Sequence, residues 1–262
     1  AIILPLKVII YIAHYTKIAG FSLIFKLVSM LNSLLFREKY MFADIELINT
    51  QGVLIDLDDT IYSYQDAHKT AINSCWESFN NAYRSRLNKP EFYNLYQKNR
   101  LAVTSRHANS GACRSRLLAF QAIFEQLQLQ QAFNLALEYE ELYWHTLITS
   151  SKIYEEALVF LERCKKHAIP VCIITDMQAQ IQIKKIQHLK INHLINYLVT
   201  SEEAGVEKPD KKIFQIALKK LNKDASAVIM IGDSMEKDIQ GAQNCGIRTY
   251  QIRSNHNTKT DI

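Results

Sequence analysis

Asp56 and Asp58 stand one residue apart at the end of a short apolar run, Val53-Leu54-Ile55. On an extended strand residues i and i+2 point to the same side, so both carboxylates leave one face together. Two carboxylates that close repel unless a cation or a proton lies nearby. Magnesium suits the pair, because it takes hard oxygen ligands and keeps several waters. Where the strand ends and the chain bends, the second carboxylate can swing beside a substrate bound to the first. The pattern Asp56-Leu57-Asp58-Asp59-Thr60 is a weak signal by itself, since acidic clusters are common on surfaces.

Three further pieces strengthen it. Ile174-Thr175-Asp176 ends a second apolar run, where a hydroxyl and backbone N–H groups can hold a phosphate. Lys208-Pro209-Asp210 opens a helical segment with Pro at a favoured early position, and Lys208 can bring positive charge to the strand ends. Ile231-Gly232-Asp233-Ser234 ends another run, with Asp238 five residues beyond Asp233. Gly232 lets the backbone turn tightly, and Asp233 adds a hard ligand.

The elements that must position these residues are readable from periodicity. Short continuous apolar runs occur at 53–55, 171–174, 197–199, 227–231 and 248–252. Such runs suit parallel strands buried on both faces. Between them lie helix-like segments at 154–167, 178–189, 211–221 and 237–245. Strands alternating with helices indicate an α/β fold with a parallel, Rossmann-like sheet. In such sheets ligands bind beyond the carboxyl ends of the strands, which is where Asp56, Asp58, Thr175 and Asp233 fall. Residues 64–150 contain no comparable strand, and their spacing of Leu117, Phe120, Phe124 and Leu127 is helical. They read as an inserted module of about four helices, flanked by a core of residues 42–63 and 151–262. No internal repeat interrupts this plan.

Composition narrows the function. The chain has 262 residues, enough for one large domain or one domain with a smaller module at about 150 residues per domain. With 48% hydrophobic and 22% charged residues, disorder and collagen-like repeats are excluded. The net charge of +5 is spread without a dense Lys/Arg run, so no nucleic-acid partner is expected. Cys75, Cys113, Cys164, Cys172 and Cys245 form no CxxC pair and are odd in number. Buried thiols in a reducing, cytoplasmic compartment are expected instead of disulfides or a zinc cage.

The first 41 residues read as an apolar, amphipathic helical extension. Lys7, Lys17 and Lys26 interrupt residues 1–36, so no uncharged run reaches the roughly 18 residues of a membrane span. Packing on the main domain or a partner subunit is the plainer expectation. Docking on a membrane surface with snorkelling lysines is the sharper one.

In this order and at these strand ends, Asp56-Leu57-Asp58-Asp59-Thr60, Thr175, Lys208-Pro209 and Gly232-Asp233 with Asp238 resemble the haloacid dehalogenase superfamily. The resemblance covers about residues 52–252. The run Thr200 to Asp210, followed by Ile213-Phe214 and Ala217-Leu218, looks like the subfamily with a helical cap after the first motif. Asp176 departs from the pattern, since many relatives have Asn or Ser there.

The resemblance implies Asp56 as the nucleophile that forms an aspartyl-phosphate and Asp58 as general acid, then base. It implies magnesium held by Asp56, the Asp58 backbone carbonyl, Asp233 and waters. Thr175, Asp176 and Lys208 would meet the phosphoryl group, and Asp238 would support Lys208 or a water on the metal. The implied reaction is hydrolysis of a small phosphorylated metabolite, a sugar phosphate or nucleoside monophosphate. A dehalogenase lacks the Asp58 carboxylate. A phosphomutase keeps both carboxylates and stays open, as does a non-catalytic protein docked on a membrane or partner. In the cap, Arg106, His107, Arg114 and Arg116 are expected to meet hydroxyls or a second anionic group. Tyr62 and Tyr64 are expected mainly to pack.

Overall fold

The computed structural model describes residues 42–252, other than 85, 109 and 110. Five parallel strands form its sheet: β1 (Gly52–Ile55), β2 (Val171–Thr175), β3 (Tyr197–Thr200), β4 (Val228–Gly232) and β5 (Arg248–Gln251). They lie in the order β3-β2-β1-β4-β5, with the first strand central. The three inner strands are buried along their whole length. Their continuous apolar runs follow, because alternation is lost when both faces are covered. Val53, Ile55, Ile173, Ile229 and Ile231 face one core, and Leu54, Cys172, Ile174 and Met230 face the other. The expected α/β, Rossmann-like architecture is thus the observed one.

Four α-helices follow β1: α1 (Tyr64–Ala82), α2 (Lys89–Arg106), α3 (Arg116–Gln126) and α4 (Ala132–Ser150). Their starts are locally specified. Ser63 accepts from Asp66 N–H, Asn88 and Glu91 form a reciprocal capping box, and Ser115 accepts from Leu118 N–H. A short 3-10 turn, Gly111–Arg114, breaks the chain between α2 and α3. The helices close on an aromatic interior of Phe79, Phe92, Phe120, Phe124 and Tyr139. The chain then returns through α5 (Glu155–Lys166), α6 (Ala179–His188) and α7 (Lys211–Leu221). Helices α5 and α6 pack on one sheet face and α7 on the other.

One helix differs from expectation. The segment predicted at 237–245 begins instead as a π-helix, Met235–Gln240, that runs into a short α-turn at Gly241–Gln243. The Ser234 carbonyl accepts from both Asp238 N–H (3.0 Å) and Ile239 N–H (3.2 Å). π-turns inside helices cluster at functional sites, and this one carries Asp238 to the strand ends. The extension over residues 1–41 and its expected membrane-surface or subunit contact lie outside the described residues. No helix among those described is long and apolar enough to cross a membrane.

Candidate active site

At the end of β1 the Asp56 N–H donates to the Ile231 carbonyl (2.9 Å), which fixes the nucleophile candidate between two strands. The residue is nearly buried, at 6% exposure. Lys208 Nζ donates to Asp56 Oδ1 (2.6 Å), Asp238 Oδ1 (2.6 Å) and the Ile174 carbonyl (3.1 Å). One buried ammonium therefore joins the ends of three segments. Thr60 also reaches its neighbours. Its hydroxyl lies 3.3 Å from Asp56 Oδ2 and 3.4 Å from Asp233 Oδ1.

Charge decides what the cluster can hold. Burial raises the Asp56 carboxyl well above the usual range; Lys208 opposes this, and repulsion from Asp238, Asp233 and Asp58 adds to it. Burial also pushes Asp233 up to about 6, helped by Asp238 and Asp59. Burial works against the Lys208 charge, but Asp238, Asp56 and Asp176 outweigh it and raise the ammonium. Oxygens of Asp56, Asp233 and Asp238 lie within 4.8 Å of one another. A set of carboxylate oxygens under mutual repulsion fits a hard divalent cation such as magnesium. Asp238 lies in this group while it also accepts from Lys208.

Gly232 makes that possible. A Cβ at residue 232 would stand 2.3 Å from Asp238 Oδ2, so only glycine lets the carboxylate lie against the strand. The Ser234 N–H donates to the same oxygen (3.0 Å).

Asp58 lies in a cradle of its own. Tyr62 OH donates to Oδ1, Lys185 Nζ to Oδ1 (2.7 Å) and Gln182 Nε2 to Oδ2 (3.0 Å). Burial would raise this carboxyl, but Lys185, Tyr62 and Gln182 prevail and lower it. Gln182 Nε2 also donates to Thr175 Oγ1 (2.6 Å), which ties the β2 hydroxyl to the acid–base candidate. Tyr62 thus packs, as expected, and also holds Asp58.

Asp176 differs from its expected part in phosphate contact. Its Oδ1 accepts the Lys208 N–H (2.9 Å), and its Oδ2 accepts Lys237 Nζ (2.8 Å). A carboxylate can only accept, so its side chain shapes the Lys208 loop and offers a phosphate nothing.

A cavity of about 260 Å3 lies over these groups, lined by Asp56, Asp58, Thr175, Lys208, Asp233 and Asp238 among others. The helical insertion contributes Tyr64, Arg100, Arg114 and Arg116 to its wall. Arg106 and His107 are not part of that wall. They end α2, where Arg106 is exposed, and the α2 turn that does face the cavity carries Arg100 instead. Arg114 forms a two-pronged pair with Glu207, Nε to Oε1 and Nη2 to Oε2, both at 2.8 Å. Burial and then this arginine act on Glu207 in opposite senses, and the arginine wins, lowering it to about 2.

Gln182, Lys185, Arg100, Glu207 and Lys237 escaped the reading of motifs. For two of them a signal existed. Gln182 and Lys185 occupy the buried stripe of α6 beside Ile181 and Ile186, where polar residues need a reason.

Residues 50–246 match the family model described as haloacid dehalogenase-like hydrolase. The chain belongs to this family of hydrolases. It is similar to a ribulose-1,5-bisphosphate 5-phosphatase of Halopiger xanaduensis, at 28% identity over 76% of this chain and 82% of the relative. It is also similar to a glyceraldehyde 3-phosphate phosphatase of Methanopyrus kandleri, at 27% identity over 78% and 84% of the two chains. Among solved structures, a 2-haloacid dehalogenase of Pseudomonas syringae superposes with a TM-score of 0.63 at 23% identity, over 76% of this chain and 85% of that one. At that identity the superposition speaks for the fold alone. For a haloacid dehalogenase-like hydrolase, the joined carboxylates Asp56, Asp233 and Asp238 and the cation Lys208 stand where the strand ends converge.

Proposed function

We propose that this hydrolase is a magnesium-dependent phosphatase acting on a small phosphorylated metabolite in the cytoplasm. The observation that carries the reading is the grip of Lys208 on Asp56 at 2.6 Å inside a cavity that Asp58 also lines. The relatives named as phosphatases support it. So does Asp58 itself, since a dehalogenase of this superfamily would not keep a second carboxylate there. The cavity lies near the small end of ligand pockets, which run from roughly 300 Å3 upward, and suits a small metabolite.

In the first step Asp56 attacks phosphorus with a carboxylate oxygen. The bond from phosphorus to the leaving oxygen breaks, and Asp58, which takes up a proton from solvent when substrate binding draws it away from Lys185 and Gln182, gives that oxygen the proton. In the second step Asp58, now a carboxylate, takes a proton from water as its oxygen attacks phosphorus. The Asp56–phosphorus bond breaks and inorganic phosphate leaves. Lys208 offsets the charge on Asp56 and meets a phosphoryl oxygen together with Thr175. Bound to Asp56, Asp233, Asp238 and the Asp58 carbonyl, magnesium would screen the repulsion between carboxylate and phosphate. Asp58 reaches the leaving oxygen by exchanging its bonds to Lys185 and Gln182 for one to substrate. The helical insertion, residues 64–150, serves as the cap that covers the site and faces the leaving group.

Phosphate release from a panel of sugar phosphates, nucleoside monophosphates and an aryl phosphate tests the proposal. Turnover is expected with magnesium, and none with chelator or with Asp56→Asn. Turnover that survives both would contradict it.

A further inference from the structure

The cations that line the cavity are not alike. Lys208 is paired with Asp56 and Asp238, Lys237 with Asp176 and Glu207, and Arg114 with Glu207. Arg100 and Arg116 have no carboxylate partner among the described residues. The Arg116 side chain is held in place. Nη1 donates to the Arg114 carbonyl (3.0 Å) and Nη2 to Tyr64 OH (2.8 Å), while the rings of Tyr143 and Trp144 lie 5.5 and 5.4 Å from its guanidinium carbon. The residue is only 3% exposed, and its Nε has no acceptor. The Nε of Arg100 is likewise buried without an acceptor. Each of these guanidiniums keeps a buried Nε without an acceptor and has no described carboxylate within ion-pair distance, so an anion in the cavity would complete it.

The charge is segregated along the cavity. The carboxylates that line it gather at the strand ends, where a metal and the transferring phosphoryl group would meet them. The two unpaired guanidiniums come from the helical wall. One phosphoryl group at Asp56, Thr175 and Lys208 leaves those guanidiniums unanswered.

We infer that the substrate carries a second anionic group, a carboxylate or a second phosphate, seated at the helical end of the cavity against Arg100 and Arg116. This rests on the phosphatase reading and extends it to a substrate class: bisphosphates or phosphorylated acids, rather than nucleoside monophosphates. Guanidinium forks match both groups in geometry and charge. Tyr64, whose hydroxyl accepts from Arg116 and lines the same wall, orients the fork.

Matched substrate pairs test this. Glyceraldehyde 3-phosphate against 3-phosphoglycerate adds a carboxylate. Ribulose 5-phosphate against ribulose 1,5-bisphosphate adds a phosphate. A kcat/KM about tenfold or more higher for the doubly anionic member of either pair is expected, and the pair that shows it identifies the group. In Arg100→Gln that ratio falls about tenfold. Arg116→Lys, which keeps the charge and loses the fork, lowers it too. Arg100 is only half-buried, so its variant carries the test if Arg116→Lys fails to fold. A ratio near one in both pairs, or a ratio that Arg100→Gln leaves intact, overturns the inference. Calorimetric binding of the same compounds to Asp56→Asn separates the two readings. If nothing is hydrolysed but the doubly anionic compounds bind more tightly, and less so with Arg100→Gln added, the phosphatase reading fails and the anion site stands. If they do not bind more tightly, the site falls as well.

Discussion

Lys185, which has no exposed surface, places its ammonium 2.7 Å from Oδ1 of Asp58. The rings of Tyr62, Tyr64 and Trp144 surround that ammonium at 5.8, 5.3 and 5.8 Å. The acid–base candidate is therefore stored as an ion pair, and its partner keeps an aromatic cage when the carboxylate turns to substrate. Each ring contributes about 0.5–2 kcal/mol to a desolvated cation, so the cage offsets part of the lost pairing.

The first prediction follows from this pair. Breaking a buried ion pair from one side costs roughly 3–5 kcal/mol, and less here because Asp58 keeps Tyr62 and Gln182. Lys185→Met and Asp58→Asn should each destabilise the protein by about 2–3 kcal/mol. The double variant should cost at least about 1 kcal/mol less than their sum. Denaturant unfolding of the four proteins measures it, and simple additivity would show that the pair carries no coupling.

Gly232→Ala should disturb the metal group without touching a ligand. The added methyl meets Asp238 Oδ2 at 2.3 Å, so that carboxylate must leave its bond to Ser234 or Lys208 must move with it. Magnesium affinity should fall roughly 10–100-fold, the usual effect of losing a partner that orients ligands. Titration of the melting temperature with magnesium reads this. An unchanged midpoint would mean that Asp238 is not held by the close approach to residue 232.

Much of this was legible in the sequence. Apolar runs ending in Asp56, Thr175 and Asp233 gave both the strands and the site, because a doubly buried strand leaves its polar residues at its end. The capping pair Asn88 and Glu91 is a helix-start signal that apolar spacing alone does not use. What stayed hidden depends on the contact of one element with another. Arg100 sits on a helix whose polar faces look alike in sequence, so the choice between it and Arg106 is settled only by how α2 packs. Glu207 precedes the Lys208 motif and shows its purpose only when Arg114 arrives from the insertion. Asp238 is named by the resemblance, but the π-turn that carries it to Lys208 is not visible in the helix-like spacing of 237–245.

His68 gives the fold a dependence on pH. Burial, with Arg116, Arg100 and Lys69 nearby, lowers its imidazole to about 3. Its Nδ1 is 2.8 Å from the Tyr143 hydroxyl. The folded value lies below the unfolded one of about 6.5, so the unfolded chain binds the extra proton between them. Stability from this group is complete above about pH 6.5 and declines as pH falls toward 3, by up to about 1.4 kcal/mol per pH unit. His68→Gln should flatten the stability profile between pH 6.5 and 5 relative to the native chain. Parallel profiles would contradict the assignment.

Arg114 and Glu207 join the insertion to the core by a two-pronged pair, each side chain about one-quarter exposed. Glu207 is lowered to about 2, so its contribution is complete above the ordinary glutamate range and is lost as pH falls through 2. Solvent screening limits it to about 1 kcal/mol. Glu207→Gln should lower the melting temperature at pH 7 and remove part of its sensitivity to salt. A native-like response to salt would place the pair among contacts without consequence.

The covalent step is the centre of the account. Rapid quenching during turnover, followed by peptide mass spectrometry, shows where the phosphoryl group resides. The account predicts phosphate on the peptide that contains Asp56, formed only with magnesium and missing from Asp56→Asn. Turnover with no phosphorylated peptide, or with phosphate on another residue, would contradict it.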